Sequence, residues 1–186
     1  QQIWPDFTVL PTPAQPAITL VPVRTGERLE WSPGRVIEVL PALHSVPAVG
    51  YAVSHGGAHW AFTGDTGRNP ALWQRLNALR AAGTPVRWLV TETTFSNADQ
   101  SFADLSGHLT AAALAEDLEA LDAGALELFL SHIKPGDQNA ILRELEPLRE
   151  VAGRKQCRLH LLHPGPPSRF NGEPASGIDN EIVLNI

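Results

Sequence analysis

The hydrophobic pattern of the chain changes period just after Gly67. Before that point, extended segments are punctuated by proline and glycine: Ile18 to Val23, a turn at Thr25-Gly26-Glu27, Arg35 to Leu40, Gly50 to Ser54, and Trp60 to Thr63. The last two flank Gly56-Gly57, so 48–63 reads as a hairpin closed by a glycine turn. After Gly67, Leu72, Leu76 and Leu79 have helical spacing, closed by Gly83 and Pro85. A strand over Val86 to Thr91 follows, then a helix carrying Leu114, Leu118 and Leu121, begun near Thr110 and closed by Gly124. Leu126 to Ser131 is the next strand. Asp137 can cap a third helix carrying Ile141, Leu145 and Leu148, which Pro147 must bend or shorten. Arg158 to Leu162 and Glu181 to Ile186 complete the strands, and the proline- and glycine-rich stretch 163–180 is a loop. Strands first, then strand and helix in alternation, predict an α/β (α+β layered) fold with sheet and helix layers packed together.

No internal repeat or domain boundary interrupts this pattern, and 186 residues suffice for one domain with a real core. The formal charge is -6 with the histidines neutral, and no basic stripe is present, which disfavours a nucleic-acid groove. The single cysteine, Cys157, excludes an internal disulfide framework. The apolar runs are far short of a bilayer span, so no membrane role is expected. Cytoplasmic and periplasmic settings both fit. The sequence contains no methionine, and a processed, trimmed or partial chain is expected. The five tryptophans, at 4, 31, 60, 73 and 88, are expected to pack in the core or between layers.

Four short segments carry the chemistry. They are Leu43-His44-Ser45-Val46-Pro47, Phe62-Thr63-Gly64-Asp65-Thr66-Gly67, Ser106-Gly107-His108-Leu109-Thr110 and Leu130-Ser131-His132-Ile133-Lys134-Pro135. Three of them adjoin predicted strands and one leads into a helix. Imidazole and carboxylate are suitable ligands for zinc or manganese, and strand ends are rigid supports for such ligands. Each residue alone has an ordinary reading: Asp65 as an Asx-turn, His108 as a residue near a helix start, His44 and His132 as surface or core histidines. His160 and His163 lie three apart on an alternating stretch, which places them on opposite faces of a strand, and they read as ordinary histidines.

The ordered set changes that weighing. A strand followed by His44, then Gly64-Asp65-Thr66-Gly67, Glu92-Thr93-Thr94-Phe95, Ser106-Gly107-His108-Leu109-Thr110 and Ser131-His132-Ile133-Lys134-Pro135 resembles the metallo-β-lactamase superfamily. It is most similar to the class II 3',5'-cyclic-nucleotide phosphodiesterases, with the tRNA 3'-processing endonucleases as near relatives. The opening Ile3-Trp4-Pro5-Asp6-Phe7 resembles the phosphodiesterase pattern too, and the resemblance covers roughly residues 3–150. It implies an αββα sandwich and two divalent ions, zinc first, with manganese or iron as alternatives. His44 and His132 would be metal ligands and Asp65 the bridging carboxylate. His108 would be a non-ligand general acid at the scissile phosphate, oriented by Glu92. Thr66, Ser131 and Lys134 would help fix the phosphate or the loops.

The family's His-x-His-x-Asp-His segment is absent from this sequence. Residues 1–186 are therefore expected to be a single partial domain, the C-terminal portion of a longer one, lacking most of the first half of the sandwich. Three ligands cannot build a two-metal site, so this chain alone should be inactive, and the inner face of its sheet should be exposed. The missing N-terminal half would lie in the same or a separate chain, and a homodimer is compatible with the sequence. The implied reaction is hydrolysis of a small-molecule cyclic nucleotide (cAMP or cGMP) to the 5'-nucleotide. RNA 3'-end cleavage is the first alternative, although only 20 residues separate His44 from Asp65, leaving no room for a long RNA-gripping arm. Hydrolysis of a lactam, thioester or lactone is a second. A binding or regulatory module that keeps the fold without catalysis is the third.

Overall fold

The computed structural model describes residues 6–163 and 182–185. A two-residue ribbon, β1 (Pro11–Thr12) with β2 (Gln15–Pro16), precedes one eight-stranded sheet. Strands β3 (Arg28–Ser32), β4 (Arg35–Pro41), β5 (Val49–His55) and β6 (Ala58–Phe62) pair antiparallel. Strands β7 (Val86–Glu92), β8 (Leu126–Ser131), β9 (Cys157–His163) and β10 (Ile182–Asn185) continue from β6 in parallel. The spatial order is β10-β9-β8-β7-β6-β5-β4-β3, so the sheet grows in one direction after β6.

That monotonic order has a physical consequence. Parallel crossovers are right-handed, and when each steps the same way, every connecting helix falls on the same face of the sheet. Helix α1 (Pro70–Ala81) joins β6 to β7; α2 (Gln100–Ser106) and α3 (Ala111–Glu119) join β7 to β8; α4 (Gln138–Arg143) and α5 (Glu146–Arg154) join β8 to β9. The helices have local causes. Asn69 caps α1 by accepting from the Leu72 amide, with Pro70 at the first helical position, and Thr110 caps α3 by accepting from the Ala113 amide. Leu72, Trp73, Leu76 and Leu79 of α1 join Leu114 and Leu118 of α3 and Leu148 of α5 over Leu40, Ala52, Ala61, Leu89, Leu128 and Leu130 of the sheet. Each buried leucine contributes about 1.5–3 kcal/mol, and the alanines about 1 kcal/mol or less.

The opposite face carries the alternate residues of the same strands. Tyr51, Trp60 and Phe62 are exposed there, and Trp60 stacks on Trp88 at 5.2 Å and Phe129 at 6.1 Å between ring centres. Phe129 stacks in turn on His160 at 4.5 Å. Among the described residues no helix covers this aromatic row. The architecture is thus one helix layer and one sheet layer, a partial αββα arrangement whose inner sheet face is open, as the sequence predicts.

Several local expectations are corrected. Ile18–Val23 is not a strand: Pro22 lacks an amide hydrogen, and Ile18, Leu20 and Val21 lie exposed. The expected third helix is two, α4 and α5, broken before Pro147, and the Asp137 side chain makes no cap bond. Helix α2 was not anticipated by periodicity. Of the tryptophans, Trp73 is in the core, Trp60 and Trp88 form the open-face stack, and Trp31 is exposed. Trp4 and most of the 163–180 loop lie outside the described residues.

Candidate active site

His44 follows β4, Asp65 follows β6, Glu92 ends β7, and His132 follows β8. Since β4, β6, β7 and β8 run in the same direction, these residues gather at one edge of the sheet, outside the carboxyl ends of its strands. His108 reaches the same place from the turn between α2 and α3. The structure therefore brings together all five residues singled out in the sequence. The ring centres of His44 and His108 are 4.7 Å apart, and those of His108 and His132 are 5.2 Å apart.

Close backbone contacts set this geometry. Gly107 has φ 74° and ends α2 in the left-handed conformation; a Cβ there would sit 2.6 Å from the Cα of His44. Its carbonyl accepts from Nδ1 of His44 at 2.9 Å, which leaves Nε2 as the free ring nitrogen. Gly64 has φ 67°, and a Cβ would meet the Val49 carbonyl oxygen at 2.6 Å. Thr66, fully buried, joins the loops: its hydroxyl accepts from the Leu43 amide at 2.9 Å, and its own amide donates to Glu92 at 2.7 Å. His132 is itself left-handed at φ 56°, a conformation that costs a side-chain-bearing residue free energy and that collects at functional sites.

Glu92 is 1% exposed and accepts from four donors. They are the amides of Thr66 and Leu109, the Thr94 hydroxyl at 2.5 Å, and Nδ1 of His108. A carboxylate so occupied supports its neighbours and has little left to offer an ion. Asp65 differs: its side chain is 46% exposed and its Oδ1 lies 3.0 Å from Nδ1 of His132.

Two overlapping clusters have metal-ligating atoms within 4.8 Å of one another: His44, Asp65 and His108, and Glu92, His108 and His132. Imidazole with carboxylate is the donor chemistry of zinc, manganese or iron. The residues fit part of a two-metal site. Beyond the His44 Nδ1–Gly107 and His132 Nδ1–Asp65 Oδ1 contacts, His44 and His132 keep Nε2 and Asp65 keeps its second carboxylate oxygen, whereas Glu92 and Nδ1 of His108 satisfy each other. These ligands are short of two complete coordination spheres.

Thr94 and Phe95, to which the motif alone assigns no role, both belong to the site's structure. The Thr94 hydroxyl binds Glu92, and the Phe95 ring packs on His108 at 5.6 Å and on Phe102 of α2 at 5.2 Å. The expected roles for Thr66, Ser131 and Lys134 separate: Thr66 ties loops, Ser131 donates to the Thr91 carbonyl, and Lys134 stands over the Phe95 ring.

No family model matches the chain, and no curated protein matches it by sequence. Solved structures do match. The metallo-β-lactamase fold protein YhfI from Bacillus subtilis superposes with a TM-score of 0.56 at 17% identity over 75% of this chain and 51% of its own. A variant of the β-hydroxylase CmlA gives 0.52 at 15% identity, over 77% and 32%. A protein from Parabacteroides distasonis, assigned as a metal-dependent hydrolase, gives 0.51 at 13% identity, over 75% and 56%. The chain spans about half the length of the first and third of these and about a third of the second. At these identities the likeness concerns the fold, and the fold is that of the metallo-β-lactamases in part.

Proposed function

We propose that this chain carries the back half of a two-metal phosphodiesterase site that converts 3',5'-cyclic nucleotides to 5'-nucleotides. The observation that carries the reading is the buried Glu92–His108 pair, set between His44 and His132. A positioned proton donor suits cleavage of a P–O bond that releases an alkoxide, and a thioester, whose thiolate leaves readily, gives that arrangement less to do.

His44, Asp65 and His132 would hold the ions, zinc first, with the remaining ligands from further sheet in the same or a separate chain. The bare aromatic face of the sheet supports that completion. Bound divalent ions would supply charge withdrawal from the phosphoryl oxygens and a lowered pKa for water. The residues of the chain do the rest. Glu92 holds Nδ1–H of His108, which fixes the ring and leaves Nε2 toward the substrate side. The ring enters the step doubly protonated: as the water oxygen bonds to phosphorus and gives up its proton to solvent, the P–O3' bond breaks, the Nε2 proton passes to the departing 3'-oxygen, and the neutral ring is reprotonated from solvent. Asp65 orients His132 through the 3.0 Å contact at its Nδ1.

The test is hydrolysis of 3',5'-cyclic AMP by the full-length protein, with and without a chelator. Chelator-sensitive release of 5'-AMP is expected. Two bound metals with no turnover would overturn the substrate assignment and move attention to RNA 3' ends.

A further inference from the structure

Several cations of the helices, strands and loops are matched to carboxylates. Arg75 pairs with Glu38, Arg68 with Glu116 and Asp117, Arg154 with Glu119, and Arg158 with Glu127. Arg35 and Arg87 lack such a carboxylate among the described residues, and so does Lys134, whose place sets it apart. It sits two residues beyond His132, exposed, and among the described residues no carboxylate pairs with it. Its ammonium instead lies 4.6 Å from the centre of the Phe95 ring and 5.9 Å from that of Phe102. Phe95 is the ring packed edge-on against His108 at 5.6 Å, so the cation and the central histidine of the site share one aromatic neighbour.

We propose that Lys134 is the substrate-anion residue of the site, a recognition element that selects a phosphate ester over a neutral ester or amide; this rests on the phosphodiesterase reading. Three features support it. An exposed cation–π contact holds an ammonium by only about 0.5–1 kcal/mol, so a phosphate can draw it away at small cost. Lysine suits that movement, with three donors on a flexible four-carbon stem. The base of the segment is meanwhile fixed: the Lys134 amide donates to the Thr94 carbonyl at 3.3 Å, and its carbonyl accepts from the Asp137 amide at 3.0 Å. The ring of Phe102, 52% exposed, offers the same ligand a flat apolar surface beside the charge. The local balance agrees: Glu92 is consumed by its four donors and Oδ1 of Asp65 faces His132, which lowers the negative charge met by an anion at the His44–His108–His132 row.

The experiment compares the full-length protein with Lys134→Met and Lys134→Arg. Inorganic phosphate binding is read by phosphorus NMR, and KM and kcat are read on 3',5'-cyclic AMP, with metal content and Tm as controls. The methionine variant should weaken phosphate binding and raise KM by about tenfold or more, the loss expected for one charge-assisted hydrogen bond, with Tm and metal content unchanged. The arginine variant should recover most of both. Unchanged phosphate binding in the methionine variant overturns the assignment. So does a fall in Tm with no recovery by arginine, which would make Lys134 a packing residue. If the parent protein turns over the cyclic nucleotide while the variants equal it, only Lys134 is displaced. If the parent neither binds phosphate nor cleaves any phosphodiester, the proposed function falls first and takes Lys134 with it.

Discussion

Nδ1 of His108 lies 3.0 Å from both carboxylate oxygens of Glu92, across 16 positions of sequence and inside a pocket of backbone amides. Glu92→Gln tests what that contact does. An amide keeps one acceptor oxygen but turns its NH2 toward groups that donate, so at least one donor loses its partner. The variant should lower kcat of the full-length protein by about 10–100-fold and stability by about 1–3 kcal/mol, with metal content retained. Loss of metal in parallel with activity would mean that Glu92 is a ligand after all. Steady-state kinetics with metal analysis decides between them.

Gly107→Ala probes the backbone contact that places His44. The added Cβ would fall 2.6 Å from the His44 Cα, at a φ of 74° that alanine disfavours. A cost of roughly 2–4 kcal/mol is expected, together with a drop in metal affinity, because His44 must move. A melting curve and a zinc titration read the two effects. An unchanged titration would separate His44 placement from metal binding.

Legibility divides along the same line. The sheet was readable because Leu126–Ser131 and Val86–Thr91 are apolar runs bounded by glycine and proline, and the observed strands match them closely. The site residues were readable as ordered motifs, and the structure gathers all five of them. What escaped was the cause of the gathering. Nothing in the spacing announces that Gly107 touches His44, that Thr94 completes the cage around Glu92, or that His132 is left-handed, since these are contacts between segments. Helix α2 escaped because its seven residues span only two turns and bury only Ala103, too little to print a period on the sequence. The Ile18–Val23 run misled for the opposite reason: β-branched and apolar, it lacks a partner strand and ends up exposed.

A buried ion pair behind the site makes a prediction about pH. Glu38 of β4 is 4% exposed and bound by both donors of the Arg75 fork, one at 2.8 Å. The hydrogen bond from Arg75 holds the Glu38 carboxyl below its ordinary value of 4.5, against the opposing effect of burial. A depressed folded value means the stabilisation is complete above 4.5 and is lost as pH falls through the folded value. Arg75→Met should therefore cost about 2–3 kcal/mol at pH 7, where it strands a buried charge, and progressively less as the pH falls below 4.5. Urea unfolding midpoints for both proteins at pH 7 and at a series of values below 4.5 measure this. An equal difference at every pH would show that Arg75 acts by packing alone.

Cys157 gives the last prediction, and its sign is opposite. The thiol is buried at the start of β9 beneath α5, and burial pushes it up to about 11 from an ordinary 9.0, with Lys155 pulling weakly the other way. At pH 8 only about one thiol in a thousand is ionised in the folded protein, and the thiolate is the species that reacts. Alkylation by iodoacetamide should therefore be roughly a hundredfold slower in buffer than in denaturant, and slow enough to report unfolding of the β8–β9 region. The raised folded value also means that this contribution is present below pH 9 and is lost as pH rises toward 11, by about 2 kcal/mol. Cys157→Ala should flatten that alkaline loss. Mass spectrometry of the alkylated protein and denaturation at pH 8 and 10.5 test both halves. Rapid native alkylation, or an alkaline decline that persists without the thiol, would show that β9 opens independently of its helix cover.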